Sequence, residues 1–287
     1  MRSPPRTTLL FLTPYLLLFA GFVALPAVVG LWMSLHDWTY LGDHPWTGLA
    51  NYLALFRRGS AAAHFFWGSM ANTGIFVLVS VPLLILLPLA VALLMNARLP
   101  GRTLFRGVYF APYVLGVAVV GVLWRLLLDP GNGAVNHLLR RAVPWTTELP
   151  WGFVSLAGVT VWWTLGFNAV IYLAGLQDIP AERYEAARLD GANAWQQLRH
   201  VTIPALRPVI VLVATVTLLA SANVFGQAYL ITSGAPAHGT RTVVMYIADE
   251  GLRRFRLGQA AAMSFVVAGT LAALGAAFLH LSREREG

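Results

Sequence analysis

The chain has 287 residues, of which 57% are hydrophobic and only 11% are charged. About a quarter of the residues in a soluble domain are charged, so this composition excludes an ordinary soluble domain and indicates an integral membrane protein. All 20 Lys and Arg positions are Arg, so the lysine of a nucleotide-binding P-loop is missing and the chain is not expected to hydrolyse ATP itself. The absence of Cys excludes disulfides and cysteine metal sites, and the net charge of +8 indicates arginine anchors beside membrane spans, not nucleic-acid binding.

Six apolar runs are long enough to cross a membrane, because a spanning helix needs about 20 mostly apolar residues. We therefore predict an all-α integral membrane protein with six transmembrane helices, forming a single domain over residues 1–287. The first run is too long for a signal peptide and is predicted to stay in the membrane. The runs lie near residues 9–34, 69–95, 107–127, 153–176, 209–231 and 259–281.

The charged residues narrow the class of protein. All 12 acidic residues fall in connections or at the tail, whereas ion-coupled transporters usually carry ionisable groups within the membrane. A stand-alone secondary transporter or channel for a small polar solute is therefore the disfavoured alternative. The metalloprotease and serine-hydrolase strings HExxH and GxSxG are absent, which also disfavours an intramembrane enzyme. With the N-terminus inside, eleven Arg flank the inner side and nine the outer side, a weak preference for cytoplasmic N- and C-termini.

The connection at 177–208 is patterned like two short helices. Pro180 suits the first turn of a helix through 181–189, and Gly191 stands where that helix would end in a left-handed cap. Asn193 and Gln196 have the spacing of a capping box that starts a second helix.

Two prolines define the end of this connection. Pro204 is expected to end the second helix, and Pro208 to open the fifth span. From these features alone, a helix pair lying on the membrane and a docking surface for another protein are equally good interpretations.

A motif extends through this connection as Glu185-Ala186-Ala187, Asp190-Gly191-Ala192 and Ile203-Pro204. These residues resemble the EAA loop of permeases in binding-protein-dependent ABC importers, and the loop stands between the fourth and fifth of six spans, as it does in that family. The segments 174–180, 46–56 and 102–112 are similar to the carbohydrate branch, which includes maltose, multiple-sugar and glycerol-3-phosphate importers.

The resemblance implies a permease of the type I importer fold in a bacterial inner membrane. It implies a second permease, expected to be a paralogue, two ATPase subunits that hold ATP and Mg²⁺, and an extracytoplasmic solute-binding protein. The loop would be cytoplasmic and would contact the ATPase. The residues assigned to this coupling are Glu185, Ala186, Ala187, Asp190, Gly191, Ala192 and Pro204.

The solute is expected to be a sugar or a glycerol-phosphate-like compound. Sugars bind amides through their hydroxyls and aromatic faces through their C–H surfaces, which nominates Trp162, Asn168, Asn223 and Gln227 for the substrate pathway. Interhelical hydrogen bonding is the alternative role for each amide. The spans carry no cation at mid-depth, which favours an uncharged sugar. No cofactor or metal is expected in this chain.

Overall fold

The structure, a computed structural model, describes residues 5–96 and 102–283. Over these ranges the chain forms helices and loops, with one isolated antiparallel bridge between His36 and Trp46. The helices are α1 (Pro5–Phe19), α2 (Leu25–Ser34), α3 (Ala50–Phe56), α4 (Ala61–Asn96), α5 (Arg102–Val114), α6 (Val117–Leu127), α7 (Ala134–Leu139), α8 (Trp151–Gln177), α9 (Ala181–Leu189), α10 (Ala194–Gln197), α11 (Ile203–Ala222), α12 (Val243–Ala248) and α13 (Leu257–Arg283), with π-helical segments at Ala20–Ala24, Leu198–Thr202, Ala228–Thr232 and Asp249–Arg253.

The prediction of an all-α membrane protein is confirmed. Five helical stretches in the described ranges are long and apolar enough to cross a membrane. The remaining predicted span, 107–127, is a bent pair of helices. The five stretches are Phe11–Ser34, Ala61–Asn96, Trp151–Gln177, Ala194–Ala222 and Leu257–Phe278.

The chain packs as two compact units. The first contains the described residues up to Trp67 together with Tyr246–Thr270. Within it, the Asn51 side-chain amide donates to the carbonyls of Ser34 and His36, both at 2.9 Å. These bonds fix the chain where the first span ends, because they supply donors to the backbone carbonyls of two buried residues. The single-domain prediction over 1–287 stays a prediction, and residues 1–4, 97–101 and 284–287 lie outside the described ranges.

The second unit contains Gly68–Met245 and the residues from Leu271 onward. Helix α8 supplies many of its buried side chains, as is typical of a helix that is apolar on all sides. One buried cluster includes Phe76, Leu156 and Ile231. A second cluster includes Tyr172 and Leu206. Burial on most sides of α8 makes it the scaffold on which the neighbouring helices are placed.

The predicted span 107–127 bends by 97° between α5 and α6, so this run consists of two helices. Pro112 lies in the last turn of α5 and cannot donate a backbone hydrogen bond. Gly116 then adopts an extended conformation, with φ −65° and ψ 149°, before α6 begins. Apolar length predicted the run but not the bend.

The predicted span 209–231 ends early, at Ala222. Asn223 follows as the C-cap, and its side-chain amide donates back to the Leu219 carbonyl at 2.9 Å. Asparagine side chains compete with the helical backbone for such carbonyls, which favours a helix end. The chain resumes helical structure at Ala228–Thr232.

The expectation that Pro204 ends a helix was also wrong. The stretch Ala194–Ala222 is a single helical run that passes from α10 through a π segment into α11. Pro204 is the second residue of α11, directly after the π segment, so its missing N–H falls where the hydrogen-bond register of the run changes. The π segment before it absorbs the change of register. The fifth span therefore begins inside the predicted loop.

Candidate functional site

A cavity of about 370 Å³ lies within the second unit, between α4, α5, α8, α11 and the segment after α11. Four aromatic side chains form one part of its wall, and hydroxyl and amide groups form another. None of the described residues that line it is charged. The aromatic residues are Phe76, Tyr113, Trp163 and Phe167, and the polar residues are Thr160, Thr164, Asn168, Thr217, Ser221 and Gln227.

The aromatic wall is built where α5 packs on α8. A Cβ atom at Gly166 would overlap the backbone of Tyr109, so the glycine allows the two helices to approach closely. One turn further along α5, Tyr113 stacks on Phe167 with ring centroids 4.6 Å apart and an interplanar angle of 15°. Tyr113 also lies 6.3 Å from the ring of Trp163. Close helix packing thus brings three rings to one side of the cavity.

The buried amide of Asn168 joins three helices. Its nitrogen donates to the Leu84 carbonyl of α4 at 3.1 Å and to the Thr217 hydroxyl of α11 at 3.4 Å. Leu84 precedes Pro88 by four residues, and Pro88 has no N–H for the usual helical bond to that carbonyl. Asn168 therefore replaces a missing backbone donor.

Of the four predicted substrate-pathway residues, Asn168 and Gln227 line the cavity. Trp162 instead packs edge-to-face on Trp124, with centroids 5.3 Å apart. Asn223 caps α11, as described above. Their role in transport stays a prediction, but the structure places only two of the four at the cavity.

The residues that sequence reasoning missed are Tyr113, Trp163 and Phe167. Trp163 and Phe167 are four residues apart, so they share one face of α8. Asn168 lies about 140° around the helix from Trp163 and about 120° from Trp162. Helical phase measured from Asn168 therefore does not select Trp163, and no sequence signal identified the aromatic wall.

The turn and the cap between the two helices of the connection at 177–208 form as their local signals predicted. Gly191 has φ +79°, the left-handed conformation that favours glycine. The Gly191 N–H donates to the Arg188 carbonyl, and the Ala192 N–H donates to the Ala187 carbonyl at 2.9 Å. This is the Schellman pattern, which satisfies the last carbonyls of α9.

The predicted capping box is also confirmed. The Asn193 side chain accepts from the Gln196 N–H at 2.9 Å, and the Gln196 side chain accepts from the Asn193 N–H at 2.8 Å. Tyr184 of α9 and Thr202 lie with their hydroxyl oxygens 3.0 Å apart, which links the two halves of the loop. The loop is thus a folded element with its own hydrogen bonds.

An open cleft of about 630 Å³ runs along this loop. Five of the seven predicted coupling residues line it, whereas Glu185 and Gly191 do not. Two large apolar side chains of the same loop were missed: Leu189 is 89% exposed and Trp195 is 66% exposed. Exposed apolar groups that lie together on a surface are typical of sites that contact another protein. The predicted residues in the cleft are Ala186, Ala187, Asp190, Ala192 and Pro204.

Apolar helices around an uncharged cavity, with a folded and exposed connecting loop, define a multi-pass membrane transporter. The family described as binding-protein-dependent transport system inner membrane component matches residues 58–283. The chain belongs to this family, and it is a transmembrane permease subunit of an ABC importer.

Two relatives are described as permeases, and one solved structure shares the fold. It is 32% identical over 267 residues to a probable ABC transporter permease protein, y4oQ, of Sinorhizobium fredii, covering 91% of this chain and 84% of the relative. It is 32% identical over 239 residues to the trehalose/maltose transport system permease protein MalF of Thermococcus litoralis, covering 82% and 79%. A bacterial alginate ABC transporter, solved with a periplasmic protein bound to alginate pentasaccharide, shares the fold with a TM-score of 0.83 at 24% identity, covering 97% and 95%.

Proposed function

We propose that this permease forms half of the translocation path for an uncharged sugar and that the cavity between α4, α5, α8 and α11 holds the sugar during transport. The single observation that carries the proposal is the lining of the cavity. Rings of Tyr113, Trp163 and Phe167 offer faces for sugar C–H groups, while Gln227 and nearby hydroxyls offer hydrogen bonds. This pairing of aromatic faces with a few polar groups is typical of sites for small polar molecules.

The charge of the cavity separates sugars from glycerol-phosphate-like solutes. A phosphate ester is recognised by cations or by converging N–H groups, and none of the described lining side chains is cationic. The trehalose/maltose permease relative supports the same choice. A neutral di- or oligosaccharide is therefore the proposed cargo.

We further propose that loop 177–208 contacts one of two separate ATPase subunits on the cytoplasmic side, where both termini also lie. The ATPase subunits would hold ATP and Mg²⁺, and this chain would be non-catalytic. A paralogous permease would complete the path across the membrane, and residues 1–287 would act as one transmembrane domain beside it. The exposed cleft and the exposed side chains of Leu189 and Trp195 support this contact.

Uptake by the complete importer in proteoliposomes tests the cargo. We expect ATP-dependent import of radiolabelled trehalose or maltose in the presence of the binding protein, and no competition by glycerol 3-phosphate. Gln227→Leu should raise the apparent KM about tenfold, the effect of one lost hydrogen bond between solute and protein. Trp162→Phe, outside the cavity, is the matched control. Import of an anionic solute alone would contradict the proposal.

Co-purification tests the contact with the ATPase. Leu189→Glu should reduce the amount of ATPase that stays bound to the permease in mild detergent, because it places a charge where an apolar side chain would be buried. Leu138→Glu is the control, since Leu138 of α7 is 84% exposed but lies outside the loop. Equal retention of the ATPase by both variants would contradict a docking role for this surface.

A further inference from the structure

The bend between α5 and α6 is held by few backbone hydrogen bonds. At this point the Leu115 N–H donates to the Pro112 carbonyl at 3.1 Å, and the Val120 N–H donates to the Gly116 carbonyl at 3.1 Å. The first bond lies before the bend and the second lies after it, so neither crosses the 97° turn between the two helices. The angle between α5 and α6 must therefore be set by contacts from other helices.

One such contact is a hydrogen bond from the cavity wall. The indole Nε1–H of Trp163 donates to the Leu115 carbonyl at 3.0 Å. This bond ties α8 directly to the backbone between α5 and α6. The same tryptophan lines the cavity. The bend and the cavity are thus joined through a single side chain.

We propose that Trp163 is a positioning residue that fixes the bend between α5 and α6 through its N–H and links the occupancy of the cavity to the conformation of this bend. The link to occupancy rests on the proposed function, because it requires the solute to stack in the cavity. The fixing of the bend does not require the solute and can be tested without it.

The geometry of α8 supports this assignment. Trp163, Gly166 and Phe167 share one face of α8. Gly166 lies against the Tyr109 backbone of α5, and Phe167 stacks on Tyr113 of α5. Trp163 reaches beyond the end of α5 to the bend itself.

The hydrogen bond also decides what Trp163 can offer a solute. Its N–H is used by the Leu115 carbonyl, so the ring offers the solute its π face and not a hydrogen-bond donor. A sugar that stacks on this face would push on the same ring that holds the bend.

Hydrogen exchange of the complete importer in nanodiscs, without solute, tests the fixing of the bend. Trp163→Phe keeps an aromatic ring and removes the donor. We expect the amides of residues 115–120 to exchange about tenfold faster in this variant, because one stabilising hydrogen bond is lost from a locally opening segment. Trp162→Phe, the neighbouring position, should leave the exchange of these amides unchanged.

Replacing Trp163 by benzothienylalanine gives a second, nearly isosteric variant in which sulfur takes the place of the N–H. It should reproduce the faster exchange even if Trp163→Phe assembles poorly. Exchange equal to wild type in this variant would overturn the proposal that the N–H fixes the bend.

Uptake kinetics with trehalose or maltose then separate the two proposals. Losing the N–H should lower the maximal rate about fivefold with the KM changed less than twofold, whereas Phe167→Leu, which removes a stacking face, should mainly raise the KM. A merely structural role for Trp163 would change neither parameter selectively and would overturn the link to transport. Suppose that the Trp163 variants exchange faster but Phe167→Leu imports solute with wild-type kinetics. The fixing of the bend by Trp163 would then be retained, and the cavity would be refuted as the solute site.

Discussion

The cavity and loop 177–208 belong to the same compact unit. They differ in how far apart in the sequence the residues are that hold them together. The loop is closed by bonds between near neighbours, such as the Asn193–Gln196 pair. The cavity is closed by bonds between distant residues, such as Asn168 with Leu84, which are 84 positions apart. We infer that the loop can keep its fold when it moves, whereas the cavity changes whenever its helices move relative to one another. A transporter needs both properties, a firm contact surface and a deformable path.

The largest expected effect is on the packing that makes the cavity. Gly166→Val should destabilise the permease by about 3 kcal/mol, because its side chain would collide with the Tyr109 backbone and force α5 away from α8. Thermal unfolding of the purified importer measures this loss. Gly158→Ala is the control on the same helix, since a Cβ there meets nothing within 4 Å. Similar unfolding temperatures for both variants would show that close contact at Gly166 is unimportant.

The next effect concerns the amide that replaces the donor missing at Pro88. Asn168→Leu should cost about 2 kcal/mol, because the Leu84 carbonyl and the Thr217 hydroxyl lose their shared partner. The double variant with Pro88→Ala restores a backbone N–H to Leu84 and should recover part of this loss. Chemical unfolding of the four proteins of this cycle measures the coupling. Additive losses would mean that Asn168 does not compensate for the proline.

A smaller effect on stability is expected in the loop. Gly191→Val should cost about 1–2 kcal/mol, because a β-branched residue is strained at φ +79°. The strain stays in an exposed turn, so the permease should still assemble while transport is uncoupled from ATP hydrolysis. The ratio of solute imported to ATP hydrolysed measures this uncoupling.

Gly59 provides the matched control for this prediction. It has φ +81° but lies outside the loop, so Gly59→Val should keep the transport ratio of the wild type. Gly191→Asn should restore coupling, since asparagine tolerates the left-handed conformation. A wild-type transport ratio in Gly191→Val would refute the coupling role of the turn.

The smallest effect is expected at the capping box. Asn193→Ala should cost about 1 kcal/mol, the typical value for losing an N-cap side chain. Faster hydrogen exchange confined to residues 193–197 would report this loss, while Asn193→Ser should stay near the wild type. A change that spread to the cavity amides would contradict the contrast between local and long-range contacts.

Sequence alone predicted the parts of the molecule that depend on neighbouring residues. Gly191, Asn193 and Gln196 were assigned correctly because caps and turns are formed within a few positions of the chain. Apolar length likewise predicted which runs are membrane helices, but not where they bend or end, since a bilayer imposes only a minimum length on a crossing helix.

The parts that sequence left open or predicted wrongly depend on what other helices supply. Pro112 and Pro204 have the same local chemistry, yet one lies at a bend and the other inside a continuous helical run. For Asn168 the sequence left solute binding and interhelical hydrogen bonding open, and the structure shows its amide donating to the Leu84 carbonyl while it also lines the cavity. Neither outcome follows from spacing, because each is decided by a partner far away in the chain.

The helical run Ala194–Ala222 has a mechanical consequence. It contains 29 residues, which at 1.5 Å per residue makes a rod about 44 Å long. One end starts at the Asn193 cap, and Ser221, near the other end, lines the cavity. Rotating such a rod by about 10° around its midpoint would move each end by about 4 Å, in opposite directions. A small turn of the loop would therefore displace the cavity wall by more than the length of a hydrogen bond.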